Sequence, residues 1–343
     1  MTKKFITGGG LRIDYLITHD GKAYTGLPGG NALFSAVGAS IWTKNVGLWA
    51  RLGENYPQHW LDELAERGLD TTGLIRVPGD QDHRTFFAYT PDGRRDDTNP
   101  AAHFDRIQQP LPPALANYLH STPGQDDPYV YEPLALRPAD WPAAYDGATA
   151  VHLSPHPLRS HMYIPATLRQ FGVRQITVDP GERYMVPELI PHLTTFLPHI
   201  DAFLPSREEI HSLMGNGVSM EEAATTLGQL GARLVVIKMG AEGVLVSEGN
   251  GRITHLSPYH APNDERVIDV TGAGDAFCGG FMVGLATTHD PLLAAKMGMA
   301  SASFILEGYG ALTALASSPS EARKRLKTLK TKKPDRLFLA CHV

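Results

Sequence analysis

Short apolar runs rich in β-branched residues return along this chain, and between them apolar residues recur every three or four positions. The runs Phe5–Thr7, Val46–Ala50, Ala150–Leu153, Gln175–Val178, Ala202–Leu204, Leu234–Lys238 and Val244–Val246 predict strands. Pro57–Arg67 predicts a helix, with Trp60, Leu61 and Leu64 on one face and Gly68 as the stop. Asn31–Trp42 and Pro291–Leu306 predict two more, the second rich in Ala, Met and Gly and so suited to close packing. Strands alternating with helices over nearly the whole length predict an α/β fold, a mostly parallel sheet covered by helices.

Two stretches break the rhythm. Leu11–Leu27 sets a polar turn, His19-Asp20-Gly21, between short extended segments, and Arg84–Arg95 reads as a hairpin turning at Pro91-Asp92-Gly93. Together they predict a small sheet outside the main layer. Gln108–Trp141 is Pro-rich and reads as a surface excursion with one short helix. The basic tail Ser317–Val343 predicts a last surface helix, Pro319–Lys330. One domain is therefore expected over 1–316, with inserted segments at about 11–28 and 84–104, and 317–343 packed on the same domain.

Composition narrows the partners. The 343 residues are 42% hydrophobic and 20% charged, ordinary for a soluble globular protein large enough to bury its own core. A net charge of −5 without a basic block leaves no positive stripe for a nucleic-acid backbone. No apolar run approaches the roughly 20 residues of a membrane span, and MTKKFITGGG lacks a signal-peptide core. Two cysteines, Cys278 and Cys341, do not make a disulfide framework, so a reducing, cytoplasmic setting is expected.

The most informative segment is Asp269-Val-Thr-Gly-Ala-Gly-Asp275-Ala-Phe-Cys-Gly-Gly-Phe281. Thr271 to Gly274 reads as a tight loop of small residues, with a helix from Asp275 onward. A helix entered through glycines presents unpaired N–H groups and the positive end of its dipole. That is an anion cradle, suited to a phosphoryl group in flight. Asp275 at its mouth can take the proton of an attacking hydroxyl; its plainer use would be as an N-cap. The segment has no Gly-Lys-Ser/Thr and is no P-loop, and TGGGLRID has Ile13 where a dinucleotide fingerprint needs its third glycine.

These residues resemble the second signature of the ribokinase-like (PfkB) carbohydrate kinases, usually D-T-T-G-A-G-D. Gly29-Gly30-Asn31-Ala32 resembles the first signature, and Arg51–Tyr56 with Leu61–Thr72 a further family segment. ITVDPGER (Ile176–Arg183) is similar to the D-P-N-x-R strand end, FLPSREE (Phe203–Glu209) to N-x-x-E, and Lys238–Gly243 to the nucleotide loop. The matches keep the family's order from residue 5 to about 311. The resemblance implies a three-layer α/β/α domain with a β-sheet lid, and an ATP-dependent phosphotransferase acting on an alcohol of a sugar-like acceptor.

It also implies roles. Asp275 matches the base, and Gly272, Ala273 and Gly274 the anion hole. Asp14, Gly30 and Asn31 match sugar-holding positions, and Lys238, Gly240 and Gly243 lie where the nucleotide runs. Glu209 matches the residue that organises Mg²⁺ through water, and Asp269 and Thr271 a K⁺ site of many members. Lid sheets in that family often pair, which allows a homodimer. Two departures stand out: Ser206 replaces the asparagine of N-x-x-E, and Gly181 that of D-P-N-x-R. They keep open a weakly catalytic sugar or nucleotide sensor, beside a kinase for a nucleoside or vitamin alcohol.

Several residues carry plainer readings. Asp14 could be a turn residue, Glu209 first-turn charge, Lys238 a solvated lysine and Cys278 small packing. Phe86, Phe87 and Tyr89 read as packing between lid and body. His152, His156 and His161 crowd one strand exit without a zinc spacing. Arg84, Arg94 and Arg95 lie on or near the lid, where a phosphorylated sugar would need positive charge.

Overall fold

The structure, a computed structural model, describes residues 4–90, 95–119 and 124–331. Its strands are β1 (Phe5–Gly8), β2 (Arg12–Ile17), β3 (Ala23–Gly29), β4 (Val46–Gly53), β5 (Asp70–Val77), β6 (Arg84–Tyr89), β7 (Arg95–Asp96), β8 (Ala150–Leu153), β9 (Gln175–Val178), β10 (Ala202–Phe203), β11 (Leu234–Lys238), β12 (Val244–Glu248) and β13 (Arg252–Leu256). The helices are α1 (Asn31–Ser40), α2 (Gln58–Glu66), α3 (Pro100–Arg106), α4 (Leu158–Gln170), α5 (Ile190–Leu193), α6 (Arg207–Met214), α7 (Met220–Gln229), α8 (Ala273–Thr288), α9 (Pro291–Ile305) and α10 (Pro319–Thr328).

The main sheet runs β13-β12-β11-β10-β9-β8-β1-β4-β5, parallel except for β12, which is antiparallel to both neighbours. Its inner strands read as unbroken apolar runs because helices cover both faces. Ile6, Val151, Ile176 and Phe203 face α4, α6 and α7. Phe5, Leu48 and Ala150 face α1 and α8, and Val236 and Val246 pack on Phe277 and Phe281 of α8 and Met299 of α9.

From β1 the chain order runs outward through β4 and β5 on one side and through β8 to β11 on the other. That switch opens a crevice beyond the carboxyl ends of β1 and β8, the usual place for a ligand in an open α/β sheet.

The two irregular stretches do pair. A second sheet, β3-β2-β6-β7, stands over that crevice, with β2 and β6 parallel. Strand alternation gives it two faces. Tyr15, Ile17, Phe86 and Ala88 pack outward against Phe104 of α3, Leu115 and Tyr118. Asp14, Thr85, Phe87 and Tyr89 turn inward. The turn expected at Pro91-Asp92-Gly93 lies outside the described residues, as do Arg94 and Cys341.

The Pro-rich stretch corrects the sequence reading. It is more than a surface excursion: it carries short 3₁₀ turns at Pro113–Leu115 and Pro138–Asp140. Leu115 and Tyr118 complete the lid core, and Leu136 and Trp141 enter the main core. Prolines mask this burial because they impose neither strand nor helix periodicity. The last helix is shorter than expected, ending at Thr328, and Arg325 ties it to the body through the Ser303 hydroxyl and Glu307.

Candidate functional site

The site is built from the carboxyl ends of the strands. Helix α8 starts at Ala273, two residues earlier than expected, because Gly272 in the left-handed region (φ 74°) turns the chain directly into it. A side chain at Gly272 would also strike the Phe34 ring, at 2.1 Å from its nearest atom. Asp275 is therefore neither loop residue nor N-cap; it sits in the first turn and points into a cavity of about 750 Å³. Ala273 N–H donates to the Val270 carbonyl and Ala276 N–H to that of Gly272. The amides of Gly274 and Asp275 lie between these two and have no backbone acceptor among the described residues. Asp269 braces the loop from below by accepting from Thr271 N–H at 2.9 Å.

Beneath the loop lies a buried charged floor. Asp179, just past β9, forms an ion pair with Lys238 at the end of β11 and accepts from the Cys278 thiol at 3.4 Å. Asp179 Oδ1 is buried and has no hydrogen-bond partner among the described residues. Glu209 is buried in the first turn of α6, where Ser206 caps the helix and Glu209 accepts from Ser206 N–H at 2.6 Å. The dipole-complementing and site-facing readings of Glu209 hold together: one oxygen caps the helix, and the side chain still lines the cavity. Lys238 is not the solvated lysine of the plainer reading: it is half-buried, paired with Asp179, and lines both cavities. Cys278 is more than packing, because its thiol lies against the pair.

Crowded carboxyls in a dry site resist ionisation. Burial, then Asp179, pushes Asp275 up to about 8, with Lys238 pulling the other way. Burial and Asp179 likewise raise Glu209 to about 8. Burial works against the Lys238 ammonium, but Asp179, Cys278 and Glu209 hold it above the ordinary lysine range.

Across the cavity, Asp14 is buried on β2 rather than in a turn. Burial raises it to about 7 against the opposing pull of Arg12 and the Gly30 N–H. Asn31 does not cap its own helix. Its oxygen accepts from Gly10 N–H at 2.8 Å and its amide donates to the Pro155 carbonyl at 2.6 Å, so it joins the ends of β1 and β8. Tyr89 reaches from the lid to the phosphate loop, with its hydroxyl 2.9 Å from that of Thr271.

A second cavity of about 740 Å³ meets the first at Lys238, Val270 and Gly274. Gly240 and Gly243 line it, with Val244, Phe277, Met299 and Leu306 as apolar walls. Gly243 (φ 94°) passes so close to β13 that a side chain would meet the Leu256 carbonyl at 2.0 Å. Of the predicted site residues, Asp14, Gly30, Asn31, Glu209, Thr271, Gly272 and Asp275 share the first cavity, Gly240 and Gly243 the second, and Gly274 and Lys238 both. Ala273 lines the second, and Asp269 lies on a small pocket behind the loop.

Arg12 and Asp179 also belong to the site and were not among the predicted residues; Asp179 was legible as the aspartate of ITVDPGER, whereas nothing marked Arg12. Of the lid arginines, Arg84 is paired with Asp82 away from the cavity, and Arg95 lines it, stacked on Phe87. A side chain at Gly181 would meet the His156 carbonyl at 3.0 Å and the Tyr184 ring at 3.2 Å, so the family's asparagine would fit here only with a small shift of these neighbours. The three histidines are core residues with separate partners: Thr177 for His152, Leu136 N–H for His156, Tyr184 for His161. Among the described residues, no group of three or more His, Cys, Asp or Glu could hold a metal, and no helix is long and apolar enough to cross a membrane.

The model of the pfkB family carbohydrate kinases matches residues 177–317, which carry Asp179, Glu209, Lys238 and the whole phosphate loop. The chain is 28% identical over 305 residues to a cytidine kinase of Thermococcus kodakarensis, covering 88% of this chain and 95% of that protein. Its fold is similar to that of Arabidopsis thaliana ribokinase complexed with ribose and ATP, with TM-score 0.68, 18% identity, and 95% of this chain and 99% of that one covered. A nucleoside kinase of Methanocaldococcus jannaschii aligns over 95% of this chain and 99% of its own, with TM-score 0.65 and 16% identity.

Proposed function

Since this chain belongs to the ribokinase-like pfkB family of carbohydrate kinases, we propose that it moves the γ-phosphate of ATP to a hydroxyl of a small sugar-like molecule, the sugar of a nucleoside included. The observation that carries this reading is the position of Asp275. It lines the first cavity next to Gly274, where the two cavities meet, beside N–H groups that have no backbone acceptor among the described residues.

In this reading the nucleotide lies in the cavity of Gly240 and Gly243, and the acceptor lies under the lid against Asp14, Gly30 and Asn31. Asp275 takes the acceptor's proton as its oxygen bonds to phosphorus and the bond to ADP breaks. The amides of Gly272, Gly274 and Asp275 hold the phosphoryl oxygens, that of Ala273 being given to the Val270 carbonyl. Lys238 lies under the transfer path, held there by Asp179. The hydroxyl contact between Tyr89 and Thr271 supports a lid that closes directly on the loop and keeps out water, which would otherwise compete as acceptor.

The residues also fit a divalent cation. Glu209, through water, and Asp179, with its unpartnered buried oxygen, would hold Mg²⁺. When bound, the ion neutralises charge between the phosphates. Asp269 and Thr271 remain the proposed place for K⁺, although the Thr271 hydroxyl is already engaged by Tyr89.

The test is ADP release with Mg²⁺ and K⁺ over sugars, sugar acids, sugar phosphates and nucleosides. Acceptor-stimulated release is expected to fall by about 10² or more in Asp275→Asn, with ATP binding nearly intact. Turnover within tenfold of wild type would remove Asp275 from the role of base.

A further inference from the structure

A smaller cavity, about 240 Å³, opens beside the acceptor cavity, and Arg12, Asn31, Gln125 and Pro155 line both. Its outer wall comes from the Pro-rich insertion, which the phosphotransfer reading leaves without a role. This wall is firmly built. Arg51 of β4 donates to the Pro133 carbonyl at 3.0 Å and grips Asp140 through both carboxylate oxygens at 2.7 and 2.9 Å. His156 accepts from Leu136 N–H at 2.7 Å, and Leu158 N–H donates to the Gln125 carbonyl at 2.8 Å. Arg159 donates to the Pro128 carbonyl and stacks on Tyr131. Such a network ties residues 125–140 to the sheet and α4.

The chemistry of the walls selects an occupant. Leu11, Pro133, Pro155 and Pro157 offer apolar faces suited to a flat ring. The polar groups are mixed. Arg51 is neutralised by Asp140, and Asp82 by Arg84. Asn31 and His156 are engaged by backbone groups, and the Gln81 amide nitrogen is given to the Pro78 carbonyl, which leaves the Arg12 guanidinium, the Glu132 carboxylate, the Gln125 amide and the Gln81 side-chain oxygen. An anionic occupant would be set against Glu132, and a bare monosaccharide under the lid would leave the annex unfilled. A flat uncharged ring offering an acceptor edge to Arg12 and a donor to Glu132 satisfies both.

We infer that this annex holds the base of a nucleoside whose sugar hydroxyl is the phosphoryl acceptor, and that Glu132 reads an exocyclic amino group on that base. The inference rests on the phosphotransfer reading for its acceptor, and on the insertion for its specificity. Glu132 would favour an amino group and repel a carbonyl oxygen at the same place, so the discrimination has an attractive and a repulsive part.

The experiment compares ADP release with cytidine, uridine and ribose on wild type, Glu132→Gln and Gln125→Ala. Wild type is expected to use cytidine at least tenfold more efficiently in kcat/KM than either uridine or ribose. Glu132→Gln should collapse the cytidine-to-uridine ratio at least tenfold, through KM rather than kcat, because an amide can donate to the carbonyl oxygen. Gln125→Ala should lower the cytidine-to-ribose ratio. Ribose used as well as cytidine, or a cytidine-to-uridine ratio untouched by Glu132→Gln, overturns the inference. If no acceptor gives ADP release that depends on Asp275, the phosphotransfer reading fails instead, and calorimetry decides the annex. Cytidine binding weakened tenfold by either variant then supports it, and absent or unaltered binding overturns it.

Discussion

Asp275 has to be ionised to accept a proton, yet everything packed around it except Lys238 and Arg95 favours the protonated form. Its carboxyl, pushed up to about 8, is the cost of a dry site; the return is a base strong enough to deprotonate an alcohol as phosphoryl transfer proceeds. The pH dependence follows with a definite sign. The active form is the carboxylate, so kcat/KM for the acceptor should rise about tenfold per pH unit on the acid side and level off above about 8. Lys238 pulls that carboxyl down, so Lys238→Met should move the midpoint upward. A pH–rate profile of both proteins checks this, and a flat wild-type profile from pH 6 to 9 would mean the base is already ionised. Asp275 was legible because its neighbours are glycines in a fixed order. Arg12 was not, because its value comes from Asn31, Asp82 and Gln125, which only the fold brings near.

At the scale of elements, strands buried on both faces announce themselves as apolar runs, and β8, β9 and β11 lie where those runs predict. Both sheet edges escaped notice. β5, Asp-Thr-Thr-Gly-Leu-Ile-Arg-Val, and β13, Arg-Ile-Thr-His-Leu, are half-exposed and mix polar with apolar residues, so neither gives a clean period. The turn into α8 was legible in its glycines but not in its geometry. Gly272 does two jobs, a left-handed backbone and clearance for Phe34, and Gly272→Ala disturbs both. The backbone alone costs about 1–2 kcal/mol, and overpacking against a buried ring typically adds about 1–3 kcal/mol. A fall of about 2–5 kcal/mol in urea unfolding is expected, with loss of turnover beyond it because the loop amides shift. A variant matching wild type in midpoint and turnover would show that the ring yields freely and the turn is not fixed.

For the whole molecule, buried acids and buried histidines set opposite limits on stability. Asp14, Glu209 and Asp275 hold their protons to about 7, 8 and 8 in the fold, but to near 4 in an unfolded chain. Between those values the folded state binds more protons, so its stability falls as pH rises through that window. His83, His152, His156 and His161 are held neutral, their values lowered chiefly by burial. Below about 6.5 the unfolded chain binds their protons more readily, and stability falls in the acid direction instead. Thermal unfolding of the ligand-free protein should therefore peak between about pH 6 and 7 and drop on both sides. The alkaline limb has a cause the acid limb lacks. Glu209, Asp179 and Asp275 repel one another across a site that a cation would neutralise, whereas the histidines pack on core partners and His152 feels the site through Lys238. Mg²⁺ with ADP should then raise the melting temperature more at pH 8.5 than at pH 5.5, beyond what equal occupancy at the two pH values explains. An equal gain at both would place the alkaline loss elsewhere in the molecule and detach the acidic floor from metal binding.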